Sequence, residues 1–319
     1  MTLFTPTTEP PAGPSVVRRS ERPGSRASRA VLGAATVLVV GAATAFGWAW
    51  WNGSIGGVPI RPHCTATALG STAELDPEQA GNAAVIAAVA VSRDLPGRAA
   101  TIGIATALQE SKLYNLAGGD RDSIGLFQQR PSQGWGTAAQ VHDPVYAANA
   151  FYDVLVKIEG YQNLPITKAA QKVQRSAFPS AYADQEPEAR LWASALSGYS
   201  PGGLSCVLGD LPAGGATAPG PDGFTARAHA VAAAPQAEAG RRGTPVPGGK
   251  GTVISFVLTG GDRQQLAWAL AHWAVARADG LALSAVEVDG KQWRRTSGAD
   301  GWTTLDAGPQ EGTVVVRTN

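Results

Sequence analysis

Residues 31–51, VLGAATVLVVGAATAFGWAWW, carry no charge over 21 positions. At about 1.5 Å of rise per helical residue, that length reaches across the hydrocarbon core of a bilayer. Arg18, Arg19, Arg22, Arg26 and Arg29 precede the run, and the next cation is Arg61. The positive-inside rule keeps such an N-terminus in the cytoplasm and places the rest of the chain outside. Trp48, Trp50 and Trp51 then fall at the far interface, as in a single-pass cell-membrane protein. The competing reading is a cleaved signal peptide. The run is long for that, and the small-residue motif ATA at 43–45 lies inside it. Residues 1–30, polar and interrupted by prolines, are expected to form a disordered cytoplasmic tail.

The remainder divides by its hydrophobic period. Residues 52–63, with GSIGG and two prolines, read as a linker. Over 64–208 the pattern is helical. Asp76-Pro77 and Asp143-Pro144 are starts in which the aspartate caps and the proline occupies the first turn. Helices are expected from Asp76 to about Leu95, over 97–113, 143–158, 167–178 and 187–198, with no strand among them. Residues 209–250, rich in Gly, Pro and Ala, read as a flexible linker. In 251–319 the period changes. TVISFVLT, LALSAVEV and GTVVVRT read as strands, DRQQLAWALAHWAVARA as a helix, and Asp289-Gly290 as a hairpin turn. The expected fold class is mainly α: a helical domain after one transmembrane helix, then a small α+β domain. That last domain either binds a protein partner or only packs.

The two cysteines, Cys64 and Cys206, bracket the helical domain. Outside the membrane an isolated pair favours a disulfide over a metal site. Zinc needs more ligands, and the four histidines are scattered. With 16% charged residues and a net charge of +1, the chain has no basic field for nucleic acid.

Glu110 is the residue with chemistry to explain. Most helix glutamates are solvated, but Glu110 stands between Leu108 and Leu113, and a second apolar turn, IGLFQQ, follows at 124–129. A carboxyl walled by apolar groups holds its proton to higher pH. A protonated carboxylic acid is what cleavage of a glycosidic bond requires, because the leaving oxygen must take a proton. Asp120 and Asp122 lie in the intervening turn, where capping, a fragmentary calcium loop and a secondary catalytic acid compete. GYSPG at 198–202 matches the G-x-S-x-G spacing of a nucleophile elbow. That motif needs a strand before it, whereas here a helix is expected.

Glu110-Ser111, a Gly-Asp turn and Gly125-Leu126-Phe127-Gln128 resemble the lysozyme-like superfamily, notably soluble lytic transglycosylases and goose-type lysozymes. The longer string QESKL…GDRDSIGLFQQRPSQGWG…AAQKVQRSAFPSAYA resembles the transglycosylase-like domain of actinobacterial membrane-anchored proteins, over about 64–206. The resemblance implies cleavage of the β-1,4 bonds between N-acetylmuramic acid and N-acetylglucosamine in peptidoglycan, without a cofactor. It makes Glu110 the acid/base and Asp120, with Asp122, the possible secondary acid. Phe127 stands where the family has Met, and the family's later Tyr-Asn pair is unmatched, with Gln174 and Tyr182 in its place. The expected substrate-binding set is Ser111, Gln128, Gln129, Trp135, Gln174 and Tyr182; for Trp135, core packing competes with stacking on a sugar. A muramidase of the same kind and a non-catalytic wall-binding module are the alternatives.

Overall fold

In a computed structural model of the chain, the described residues are 61–175, 180–211, 218–239 and 244–318. Helix α1, Pro77–Ser92, starts at Asp76, whose side chain accepts from the Gln79 N–H at 2.9 Å while Gln79 Oε1 accepts from the Asp76 N–H at 3.0 Å. This reciprocal pair satisfies two backbone donors that a helix start leaves open. α1 is buried from Ala80 to Ala90, and α2, Gly97–Ser111, from Ala99 to Leu108. Both are rich in alanine and glycine, so neighbouring backbones approach closely and the two helices run through the core. Around them stand α3 (Ala138–His142), α4 (Pro144–Leu155), α5 (Ile166–Gln174) and α6 (Glu186–Leu196). The Tyr152 hydroxyl of α4 donates to the Ile86 carbonyl at 3.1 Å.

The mainly α expectation is corrected by two sheets. In the first, β1 (His63–Ala68), β2 (Ser71–Leu75) and β3 (Leu204–Val207) run antiparallel in the order β2-β1-β3. Cys64, Ala66 and Ala68 point inward while His63, Thr65 and Thr67 are more exposed. The period of two is present in HCTATA, but its inward positions are small, so the hydrophobic signal is weak. Cys64 and Cys206 stand opposite each other on β1 and β3 and form the expected disulfide. Among the described residues no helix is long and apolar enough to cross a membrane. The expected span at 31–51 and the expected tail at 1–30 lie outside those residues.

The second sheet comprises β4 (Thr244–Gly248), β5 (Val253–Val257), β6 (Ala285–Val288), β7 (Lys291–Arg294), β8 (Trp302–Thr304) and β9 (Thr313–Arg317). Its order is β4-β5-β9-β6-β7-β8, antiparallel throughout. Helices α7 (Ala226–Ala239) and α8 (Arg263–Ala276) accompany it. Asp289 and Gly290 turn β6 into β7 with φ of 48° and 69°, as the hairpin signal requires. The stretch expected to be linker, 209–250, holds α7 and β4. Its alanines and prolines hide a helix whose burial comes from tertiary packing.

The described residues of the C-terminal part share one continuous core with those of the helical part. Strand β3 is the far edge of the first sheet, and its outward carbonyls are taken by indoles. Trp302 Nε1 donates to the Leu204 carbonyl at 2.7 Å and Trp293 Nε1 to the Cys206 carbonyl at 3.1 Å. Gln265 Nε2 donates to the Ser197 carbonyl at 3.0 Å. Gly198 admits this contact: a Cβ there would lie 2.0 Å from the Gln265 carbonyl oxygen.

Candidate active site

Glu110 occupies the last turn of α2. The helix stops because Lys112 and Leu113 take left-handed conformations, φ 54° and 61°. For residues with a Cβ this costs about 1 kcal/mol each or more, and it persists only where neighbours enforce it. Here α1 does so. Gln79 Nε2 donates to the Lys112 carbonyl at 2.9 Å, and Asn82 Nδ2 to that of Leu113 at 2.8 Å. The Tyr114 hydroxyl bonds the Asp76 carboxylate. The buried Ser111 hydroxyl donates to the Leu126 carbonyl at 2.8 Å and so ties the Gly-Leu-Phe turn to the helix end. Gly125 in that turn has φ +78°, and a Cβ would stand 2.4 Å from the Val141 carbonyl oxygen.

The Glu110 side chain is half-buried. The fully buried Tyr182 donates its hydroxyl to Glu110 Oε1 at 2.6 Å, and the Gln174 side chain is a second partner. Gln174 Nε2 also donates to the Phe127 carbonyl at 2.7 Å, fixing α5 against the turn. Burial pushes the Glu110 carboxyl above its ordinary value, and the bonds from Tyr182 and Gln174 partly oppose that rise. The product is a carboxyl that holds its proton more tightly than a solvated one and is fixed by two neutral groups. Gln174 also lines a cleft of about 520 Å³, together with Trp135, Gln133, Val173 and Arg175 among others; Glu110 reaches that cleft through Gln174 and is not itself in its wall.

Glu110, Gln174 and Tyr182 are therefore joined, and Trp135 shares the cleft with Gln174. The other expected residues have the following partners. Ser111 is buried and faces backbone. Gln129 is 2% exposed, with Nε2 on the Ala147 carbonyl, and is closed to a ligand. Gln128, at φ 46°, folds its amide back on the Gly125 carbonyl at 3.1 Å. Asp122 takes Arg130 Nε at 2.9 Å, the Ser132 hydroxyl at 3.0 Å and the Ser132 N–H at 2.8 Å. These bonds hold its carboxyl well below the usual range, so Asp122 clamps the turn at 131–133. Asp120 is exposed, and its carbonyl accepts from the Ser123 N–H. Ser200 of GYSPG follows a helix and meets the Ser194 hydroxyl at 2.8 Å, not a histidine.

Sequence reasoning passed over Gln79 and Asn82, which hold the strained pair after Glu110. The available signal was an asparagine inside a run of alanines and valines, where a polar group must find a partner. Arg175 and Gln133 in the cleft gave no comparable signal. No known family matches the chain, and no curated protein matches it.

Proposed function

We propose that the protein cleaves the β-1,4 glycosidic bonds of peptidoglycan as a lytic transglycosylase, with Glu110 as its single acid/base. The observation that carries this is the half-buried Glu110, raised by burial and held by Tyr182 and by Gln174, which also lines a cleft containing Trp135. The likeness of its Glu-Ser and Gly-Leu-x-Gln motifs to the lysozyme-like superfamily supports the same reading. Protonated Glu110 gives its proton to the leaving 4-oxygen of N-acetylglucosamine as the bond to C1 of the muramyl residue breaks. The 6-hydroxyl of that muramyl residue then bonds to C1, and the Glu110 carboxylate takes its proton. The product is a 1,6-anhydromuramyl end. Hydrolysis ordinarily needs a second carboxylate. Asp122 is occupied by Arg130 and Ser132, which favours the intramolecular route, where the nucleophile is already tethered. A disulfide fits a site of action outside the cytoplasm, where the wall lies.

The test is digestion of purified sacculi by the full-length chain, with mass spectrometry of the released fragments. Anhydro ends, each one water lighter than a reducing end, are the expected result. Reducing ends alone make the enzyme a muramidase and Asp120 the residue to test next. Co-sedimentation with sacculi but no fragments overturns catalysis in favour of a wall-binding module.

A further inference from the structure

Strand β2 is the free edge of the first sheet. The Thr67 N–H donates to the Gly203 carbonyl at 2.7 Å, so Thr67 turns its backbone polar groups toward the β3 side. In an antiparallel ladder a central-strand residue bonded to one neighbour forms a non-hydrogen-bonded pair with the other. Thr72, opposite Thr67, therefore turns its own N–H and C=O to the open edge, and so does Glu74, opposite Thr65. The side chains agree: Thr67 Oγ1 and Thr72 Oγ1 stand 3.2 Å apart, as in the closer kind of pair. Along this edge runs a second cavity of about 520 Å³, which shares no lining residue with the cleft at Gln174 and Trp135 and whose opposite wall is the start of α6. Leu69, 75% exposed, forms its lip, and Leu191 contributes an apolar wall.

The charges in this groove are unbalanced. Glu74 and Glu188 both line it. Arg190 is the cation of the wall, and it is drawn to Glu186 at 3.4 Å. Glu188 is partly desolvated, which raises its carboxyl above the ordinary value. An incoming ammonium or guanidinium would favour its charged form. A backbone edge offering donors and acceptors, an apolar lip and two carboxylates without an ion-pair partner among the described residues together describe a strand-addition site for a basic peptide.

We propose that this groove binds an extended, all-L segment of a partner protein, carrying basic side chains at alternate positions, as a fourth strand beside β2. Alternate positions are required because side chains on one face of a strand recur every second residue. All-L chirality is required because the ladder to Thr72 and Glu74 needs regular β dihedrals on both strands. That disfavours a peptidoglycan stem peptide of mixed chirality. A second copy of the chain pairing β2 to β2 is disfavoured as well, since it sets one acidic edge against another.

The test uses the full-length chain and a blocked, fluorescently labelled all-L hexapeptide of alternating lysine and valine, followed by anisotropy. Saturable binding is expected, at least about tenfold weaker when glutamate replaces lysine and weakening with added salt. Thr72→Pro removes the outward N–H together with the hydroxyl that meets Thr67, and should weaken binding about tenfold with glycan release unchanged; Thr72→Val, which lacks the hydroxyl and keeps the N–H, is the control and should bind as the native chain does. Glu188→Gln keeps the shape of the site and should weaken binding and flatten its salt dependence. It carries the test alone if the proline variant does not fold. The proposal is overturned by equal binding of the lysine and glutamate peptides, by preference for a peptide of alternating D and L residues, or by no binding at millimolar peptide. It is equally overturned if Glu188→Gln leaves affinity unchanged, or if the chain dimerises through β2 in preference to binding the peptide.

Discussion

A carboxyl at the end of an apolar helix ionises only as far as its neighbours permit, and those of Glu110 come from distant parts of the chain. Glu110 itself was legible because it sits in a local motif, two apolar turns around a Gly-Asp loop. Tyr182 is 72 residues away, and only a resemblance pointed to it. Ser111, Gln128 and Gln129 bond backbone carbonyls for a physical reason: hydroxyls and amides beside a tight turn are as useful to its carbonyls as to a sugar. Glu110→Gln keeps the shape of the side chain and removes its acidity. We expect release of wall fragments to fall about 10²–10⁴-fold with the melting temperature unchanged, and a loss under about tenfold would refute the assignment. Tyr182→Phe tests the electrostatics. The tyrosine bond favours the carboxylate, so its loss raises the Glu110 carboxyl further. A general acid works protonated, and its activity falls as pH rises through its own titration. The alkaline limb of kcat/KM should therefore move to higher pH in Tyr182→Phe; a limb that stays in place would mean that Tyr182 does not act on the acid.

Among the elements, those with large periodic side chains were legible and those built from small ones were not. α4 and α8 announced themselves by aromatic and aliphatic residues, and β5 and β9 by valines. β1 and β2 are threonine and alanine, and α7 lies in a stretch that reads as linker because its apolar residues are nearly all alanine. β3 is four residues long, too short for a period to register. The disulfide fastens β3 to β1 across 142 residues of chain. Closing so long a loop restricts the unfolded chain by about 5 kcal/mol in the loop-entropy treatment, and measured values are often smaller. Replacing Cys64 and Cys206 together by alanine should lower the urea midpoint by an amount corresponding to about 3–5 kcal/mol. The ladder between β1 and β3 supplies register without the sulfurs, so glycan release at 25 °C should persist. Loss of activity with an unchanged midpoint would assign the cysteines to chemistry instead. Gly125→Ala belongs to the same scale. Its added methyl meets the Val141 carbonyl at a left-handed position, so stability should fall by about 1–3 kcal/mol, and activity with it as the turn leaves Ser111.

For the molecule as a whole, the expected boundary after residue 208 runs through a shared core. Deleting everything after residue 211 would expose the carbonyls of Leu204 and Cys206 that the two indoles cover, along with the face of α6 against α8. The truncated chain should therefore lose its cooperative thermal transition; an unchanged transition would restore the picture of two independent domains. His272 on α8 reports on the same seam. It is fully buried between Trp268 and Trp302, and its Nδ1–H donates to the Ala195 carbonyl at 2.7 Å. Its Nε2 has no hydrogen-bond partner among the described residues. Burial lowers the imidazole from its ordinary 6.5 to about 4, against a smaller opposing effect of the Ala195 bond. Between those values the unfolded chain binds a proton that the folded chain refuses. The stabilisation is then complete above pH 6.5 and drains away as pH falls toward 4, by up to about 3 kcal/mol. Carboxylates add their own slopes at the acid end, so the informative quantity is a difference. His272→Gln keeps a donor for Ala195 and does not titrate. Urea unfolding at pH 7, 6, 5 and 4.5 should show the native chain losing stability faster than the variant over that interval. Parallel curves would mean that the seam opens to water around His272 and that the two parts of the chain are held together elsewhere.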